Sequence, residues 1–256
     1  MKHIVLFLIV LIHTSAIFAQ VRTFKSNGQS FTVDVATTIN DYYNESLNGS
    51  WSCIPVILEY AAEKEKLSKA QYLYGLSYIR GIDREKNIDK GMMWLKKAAD
   101  QGEREAAGEL GAYYDDFQQY SEAEKYLEKA CSLGANFGYF NLGYHYMILD
   151  KYDLAEKNFK LAISFGPKGQ VDAIRSLNVL YAHQGRIKES IYYLRVGAEK
   201  FNDSYSQGCL GEVLYFFGSN CDEHPSTIDK NEGLKWLKQA ANAGDERAML
   251  ILNKIN

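Results

Sequence analysis

Side chains able to do acid–base, nucleophilic or metal chemistry are few in this chain, and their spacing does not group them. Five histidines occur in 256 residues. His3 and His13 sit in an apolar N-terminal run, which leaves His145, His183 and His224. His145 and His183 have no ligand at metal spacing, and Cys221-x-x-His224 is half of a zinc site without a second half. They read as solvated or core-edge histidines. Asp115-Asp116 and Asp222-Glu223 are neighbouring carboxylates of the kind a glycosidase needs across a cleft, but that chemistry also needs desolvated walls; on loops they read as surface. No His-Glu-x-x-His, Gly-x-Ser-x-Gly, Ser-x-x-Lys or phosphate-cradling Gly-rich loop occurs. The expectation is no catalytic residue, no metal and no cofactor.

Four cysteines remain: Cys53, Cys131, Cys209 and Cys221. Cys53 and Cys131 read as small buried apolar residues. Cys209 and Cys221 are the candidate disulfide, with 11 residues between them. Closing such a loop is worth about 3 kcal/mol, provided that the Cα atoms come within about 7 Å. A bridge presumes an oxidising compartment, and the N-terminus supplies one. Lys2 and His3 precede the apolar run Ile4 to Ile12; small residues follow, and Ala19 precedes Gln20. This order predicts a secretory signal peptide over 1–19, cut after Ala19, and a periplasmic or secreted protein. The apolar run is short of the roughly 20 residues that span a bilayer, so membrane contact ends with cleavage.

The rest of the chain is built of repeats. One unit reads Tyr139-x-x-Leu142-Gly143-x-x-Tyr146, then Ala155-x-x-x-Phe159, Ala162 and Pro167. Each half is a helical stripe, and neither helix can bury its stripe alone, so pairs must stack. The frame recurs, with first-helix anchors Gly75, Gly111, Gly143, Asn178 and Gly211. The second-helix anchors are Ala61, Ala98, Ala130, Ala162, Gly197 and Ala240, at spacings of 37, 32, 32, 35 and 43. Helix breaks are expected at Gly102, Gly134, Gly166-Pro167 and Gly244. Residues 20–50 lie outside the repeat. Asn27-Gly28 between two short alternating runs is a hairpin signal, and a lone hairpin either packs on its neighbours or stays mobile.

The unit at 139–167 resembles the tetratricopeptide repeat. Residues 89–102 (Asp-Lys-Gly-Met-Met-Trp-Leu-Lys-Lys-Ala-Ala-Asp-Gln-Gly) and 229–244 resemble the second helix of the Sel-one-like repeat, with Gly91 and Gly233 where that family prefers alanine. The three middle units lack the longer loop of that family. The resemblance covers roughly 51–256. It implies an all-α fold: a right-handed α-solenoid of about five helix-turn-helix repeats with capping helices, Ser50–Glu63 at one end and Asp245–Ile255 at the other.

It also implies a binding module. In the tetratricopeptide frame, the inner face of the first helices is formed by Tyr72, Leu76, Ile79 and Arg80 in the first pair, and by Asp115 and Asp116 in the second. Phe137, Phe140, Tyr144, Met147 and Ile148 follow in the third pair, Asp172, Arg175 and His183 in the fourth, and Tyr205, Glu212, Tyr215 and Phe216 in the fifth. Aromatic anchors with a polar rim are the anatomy of a protein interface, so the expected partner is a protein or peptide segment; the alternative is an inner face that is buried on itself or filled by Gln20 to Asn48. The mature chain would carry 28 positive against 32 negative residues, a net of −4, which argues against nucleic acid. The second reading is an envelope hydrolase acting on peptidoglycan or glycan. The insertion from Phe217 to Ile228 reads first as a tolerated surface loop and second as a binding loop, a use that repeat arrays often make of such extensions.

Overall fold

The computed structural model describes residues 21–26, 29–49, 55–165, 169–218 and 227–255. The signal peptide and its cut, Asn27-Gly28, Cys53, Gly166-Pro167, and Cys221 to His224 within the insertion lie outside these residues.

The chain divides into two units, 1–113 and 114–256. The first begins with an antiparallel hairpin of β1 (Val21–Ser26) and β2 (Gln29–Asp34), in which Ser26 pairs with Gln29 and Val21 with Asp34. Helix α1 (Val35–Leu47) follows without a break, capped by the Asp34 carboxylate, which accepts from the Thr37 amide at 2.9 Å. Its stripe of Val35, Ile39, Tyr42 and Tyr43 is buried. Next come α2 (Pro55–Glu63), α3 (Ser68–Arg80), α4 (Ile88–Asp100) and α5 (Arg104–Asp116), the last crossing into the second unit. The hairpin packs on α2: Arg22 Nε donates to Tyr60 Oη at 2.9 Å, and the Phe24 and Tyr60 rings meet edge to face at 5.3 Å.

The second unit continues with α6 (Tyr120–Ser132), α7 (Asn136–Ile148), α8 (Tyr152–Ser164), α9 (Gln170–His183) and α10 (Ile187–Lys200). It ends with α11 (Ser204–Phe217), α12 (Thr227–Asn242) and α13 (Glu246–Ile255). These are the helix-turn-helix repeats of an α-solenoid. The middle pairs turn in three residues, 117–119, 149–151 and 184–186, and the chain takes a left-handed conformation at the same point in each turn: Gln118, Asp150 and Gly185. Gly102, Gly134 and Gly244 end their helices with positive φ, as a left-handed stop requires. No helix among the described residues is long and apolar enough to cross a membrane.

The second-helix anchors Ala61, Ala98, Ala130, Ala162 and Ala240 are fully buried. So are the residues three before them: Leu58, Leu95, Leu127, Phe159 and Leu237. The first-helix glycines let helix backbones touch. A Cβ on Gly75 would stand 2.9 Å from Gly91 O, and one on Gly211 would stand 2.8 Å from Gly233 O. This explains why Gly91 and Gly233 depart from alanine: in both pairs the two helices cross glycine on glycine.

Candidate inner-face site

In the first unit the inner positions are closed. Tyr72 is buried, with its ring against Tyr43 of α1 at 5.8 Å, and Lys69 on the same helix donates to Asn40 Oδ1 at 2.7 Å. Helix α1 therefore lies where a ligand was expected, and Tyr72 is no open contact. Leu76 and Ile79 are buried too; only Arg80 is exposed. Beneath α1, Tyr43 Oη donates to Glu103 Oε1 at 2.7 Å and Ser68 Oγ donates to Glu103 Oε2 at 3.2 Å. Burial pushes the Glu103 carboxyl up, and its hydrogen bond to Glu105 adds to the rise. Glu105 ends below its ordinary range, because Tyr43, Glu103 and Arg104 together outweigh burial.

In the second unit the inner face is open. Tyr144 is 49% exposed, Ile148 40%, Val179 47% and Phe216 44%. Phe137 is half-buried. Phe140 and Met147 pack against the apolar core, with Phe140 at 5.9 Å from the Phe159 ring. Phe140 is thus partly a structural residue. Tyr215 packs on the last core cluster and meets Phe216 edge to face at 5.1 Å. Arg175 forms a two-pronged pair with Asp203, while its guanidinium lies 5.4 Å from the Tyr205 ring centre. Asp203 also caps α11, accepting from the Ser206 amide at 3.0 Å. Burial alone would raise the Asp203 carboxyl, yet Arg175 and Ser206 hold it below its ordinary value.

The spacing of single residues gave no sign of two features. A cavity of about 430 Å³ opens between α9 and α11, with α10 as its floor; Tyr205, His183 and Cys209 line it. Cys209 is half-buried, and burial pushes its thiol up. Its expected partner Cys221 lies outside the described residues. The Cys131 thiol is likewise half-buried, pushed up by burial to about 11. The second feature is His145, which is neither solvated nor at the core edge. It is fully buried, and Nδ1 meets Asp115 Oδ1 at 2.6 Å. Asp115 is therefore no surface carboxylate. Among the described residues no cluster of three or more His, Cys, Asp or Glu could hold a metal ion.

Comparison with known proteins matches this arrangement to one family. The Sel1 repeat matches at 68–103, 105–134, 137–165 and 208–245. A Sel1 repeat protein from Oxalobacter formigenes superposes with a TM-score of 0.63 at 23% identity, over 87% of this chain and 88% of that one. The protective antigen c5321 of uropathogenic Escherichia coli, with an SLR fold, gives 0.66 at 20% identity; 86% of this chain covers 48% of it, so the chain spans about half its length. PilF of Pseudomonas aeruginosa gives 0.61 at 14%, over 86% and 97%. A search of curated proteins returns no match. The structural likenesses speak for the fold, and the four matched segments together take in half of the sequence, so the chain belongs to the Sel1 repeat family.

Proposed function

We propose that this is an exported scaffold or adaptor of the bacterial envelope that binds a polypeptide segment on the inner face of its second unit. Sel1 repeat proteins are generally protein-interaction modules, typically non-catalytic, and no enzyme family is indicated. The observation that carries the reading is the row of open apolar side chains on successive first helices: Tyr144 and Ile148 on α7, Val179 on α9, Phe216 on α11. Folding does not require large apolar groups there, and grouped exposed ones mark interfaces. The polar rim is supplied by Arg175, Asp172, Glu212 and His183. Export is supported by the charge, apolar run and small residues of 1–19.

Binding is tested with a double variant of exposed inner residues, Tyr144→Ala with Phe216→Ala, against the outer-face Lys125→Ala. Partners are recovered from envelope extract with the wild type and their affinity is then measured. The inner variant is expected to lose at least about tenfold, as befits aromatic contacts worth more than 1 kcal/mol each, with an unchanged melting temperature, and Lys125→Ala to lose nothing. Full affinity in the inner variant would reject the surface. Phe140→Ala is a poor choice, since it opens the core beside Phe159. Export is tested by mass spectrometry of the protein from its native host: the expected N-terminus is Gln20, and an intact Met1 in the envelope fraction would reject cleavage.

A further inference from the structure

We propose that the cavity in the fourth repeat is an anchor pocket for one bulky, uncharged side chain of a partner polypeptide, an inference that rests on the reading of the inner face as a protein-binding surface. The pocket follows from two departures in the repeat frame. The first-helix anchor is glycine in the other four pairs but Asn178 here. Asn178 Oδ1 accepts from Ser190 Oγ of α10 at 2.6 Å, so a hydrogen bond stands between α9 and α10 where the other pairs have a glycine. The second-helix anchor, alanine elsewhere, is Gly197. A Cβ there would collide with Ser206 Oγ of α11, so α11 is drawn in close against α10. One helix pair is propped by a side chain and the next is pinched together, and a gap opens between α9 and α11 over α10.

The gap has the size and lining of a ligand pocket. Its volume of about 430 Å³ falls within the roughly 300–1,000 Å³ of small-ligand sites. Ile187, Ile191 and Leu194 form the floor, and Val179 and Val213 the walls. Charge selects the occupant. The guanidiniums beside it are matched within the chain, Arg175 by Asp203 and Arg247 by Glu212 at 2.5 Å. A charged group entering there would lose water without gaining an unmatched counter-charge, whereas an aliphatic or aromatic side chain meets a mostly apolar lining in which Asn178, His183, Ser190, Tyr205 and Glu212 are the polar members besides Arg247. The occupant belongs to a polypeptide because the apolar surface continues past the pocket. Helix α7 packs directly on α9 and carries exposed Tyr144 and Ile148, which gives a chain anchored in the pocket further contacts along its length.

The test uses the full chain and random 12-residue peptides selected on it, resynthesised and measured by fluorescence anisotropy. Two variants address the pocket at exposed positions that spare the fold: Val179→Asp puts a charge in its wall, and Ala182→Trp fills it. The selected peptides are expected to share one bulky apolar residue. Its replacement by alanine, and each pocket variant, should weaken binding at least tenfold, and bound peptide should slow alkylation of Cys209. Peptides that bind both pocket variants undiminished but lose affinity to Tyr144→Ala overturn the anchor and leave the inner face standing. Peptides indifferent to all three variants, or a selection without binders, overturn both. Charged consensus anchors overturn the pocket chemistry.

Discussion

Gly233→Ala is expected to destabilise the second unit by about 3 kcal/mol, at the upper end of ordinary overpacking, and to lower its melting temperature by roughly 10 °C. The new Cβ would lie 2.6 Å from Tyr215 N and 2.7 Å from Gly211 O. Both obstacles are backbone, so no rotamer relieves the clash; α11 and α12 must separate. Separation takes Leu237 away from Gly211, which it approaches as closely as its amide nitrogen. In a repeat array the damage stays with the affected pair and its neighbours. Hydrogen exchange should therefore quicken in α11, α12 and α13 and hold in α7 and α8. Gly134→Ala is the contrast. Nothing stands within 4 Å of its Cβ, but φ is +78°, and the cost is the 1–2 kcal/mol of a left-handed non-glycine residue. Chemical denaturation followed by circular dichroism measures both. A loss below about 1 kcal/mol in Gly233→Ala would mean that the helices part freely, against the close packing of interiors.

How far the chain could be read follows from where its period holds. The buried alanines and the leucines three before them were legible because each repeat demands them for the same reason. The meaning of Gly91 and Gly233 was not. They registered as departures from alanine, and only the crossing of α3 with α4 and of α11 with α12 shows two backbones in contact. Helix α1 was missed although its signals are present: Asp34 as a cap, then Val35, Ile39, Tyr42 and Tyr43 at helical spacing. They lie outside the repeat period, which carries no information about them. At Tyr72 the alternative of an inner face filled by residues 20–48 holds, with α1 as the covering element; a repeat frame describes only what repeats and does not choose between an open position and one that a flanking segment covers. Asn178 and Gly197 were visible as irregular anchors. Their joint effect, a prop in one interface and a pinch in the next, is a property of three helices together and has no local spacing.

His145 shows the same limit and gives the other large effect. Its partner Asp115 lies 30 residues earlier, on the preceding first helix, too far along the chain for spacing to pair them. His145→Ala is expected to cost about 3–5 kcal/mol at neutral pH, the range for breaking a buried pair and leaving its charge behind. The wild-type side chains are nearly sealed, at 0% and 7% exposure, so water cannot replace the lost contact. Burial holds the Asp115 carboxyl above its ordinary 3.8, with His145 working against that rise. A carboxyl raised in the folded state favours folding in acid, and that contribution is lost as pH rises through the folded value. Removing His145 leaves burial unopposed and lifts the folded value further. The deficit of His145→Ala should then be smallest near the unfolded value and grow with rising pH until the variant's own folded value is passed. Adding Asp115→Asn removes the stranded charge, so the double variant should recover part of the loss at neutral pH and show a flatter pH dependence. Urea denaturation across pH measures all three proteins. A deficit that does not change with pH, or a double variant weaker than His145→Ala, would mean that the pair contributes packing alone and that no charge is left stranded.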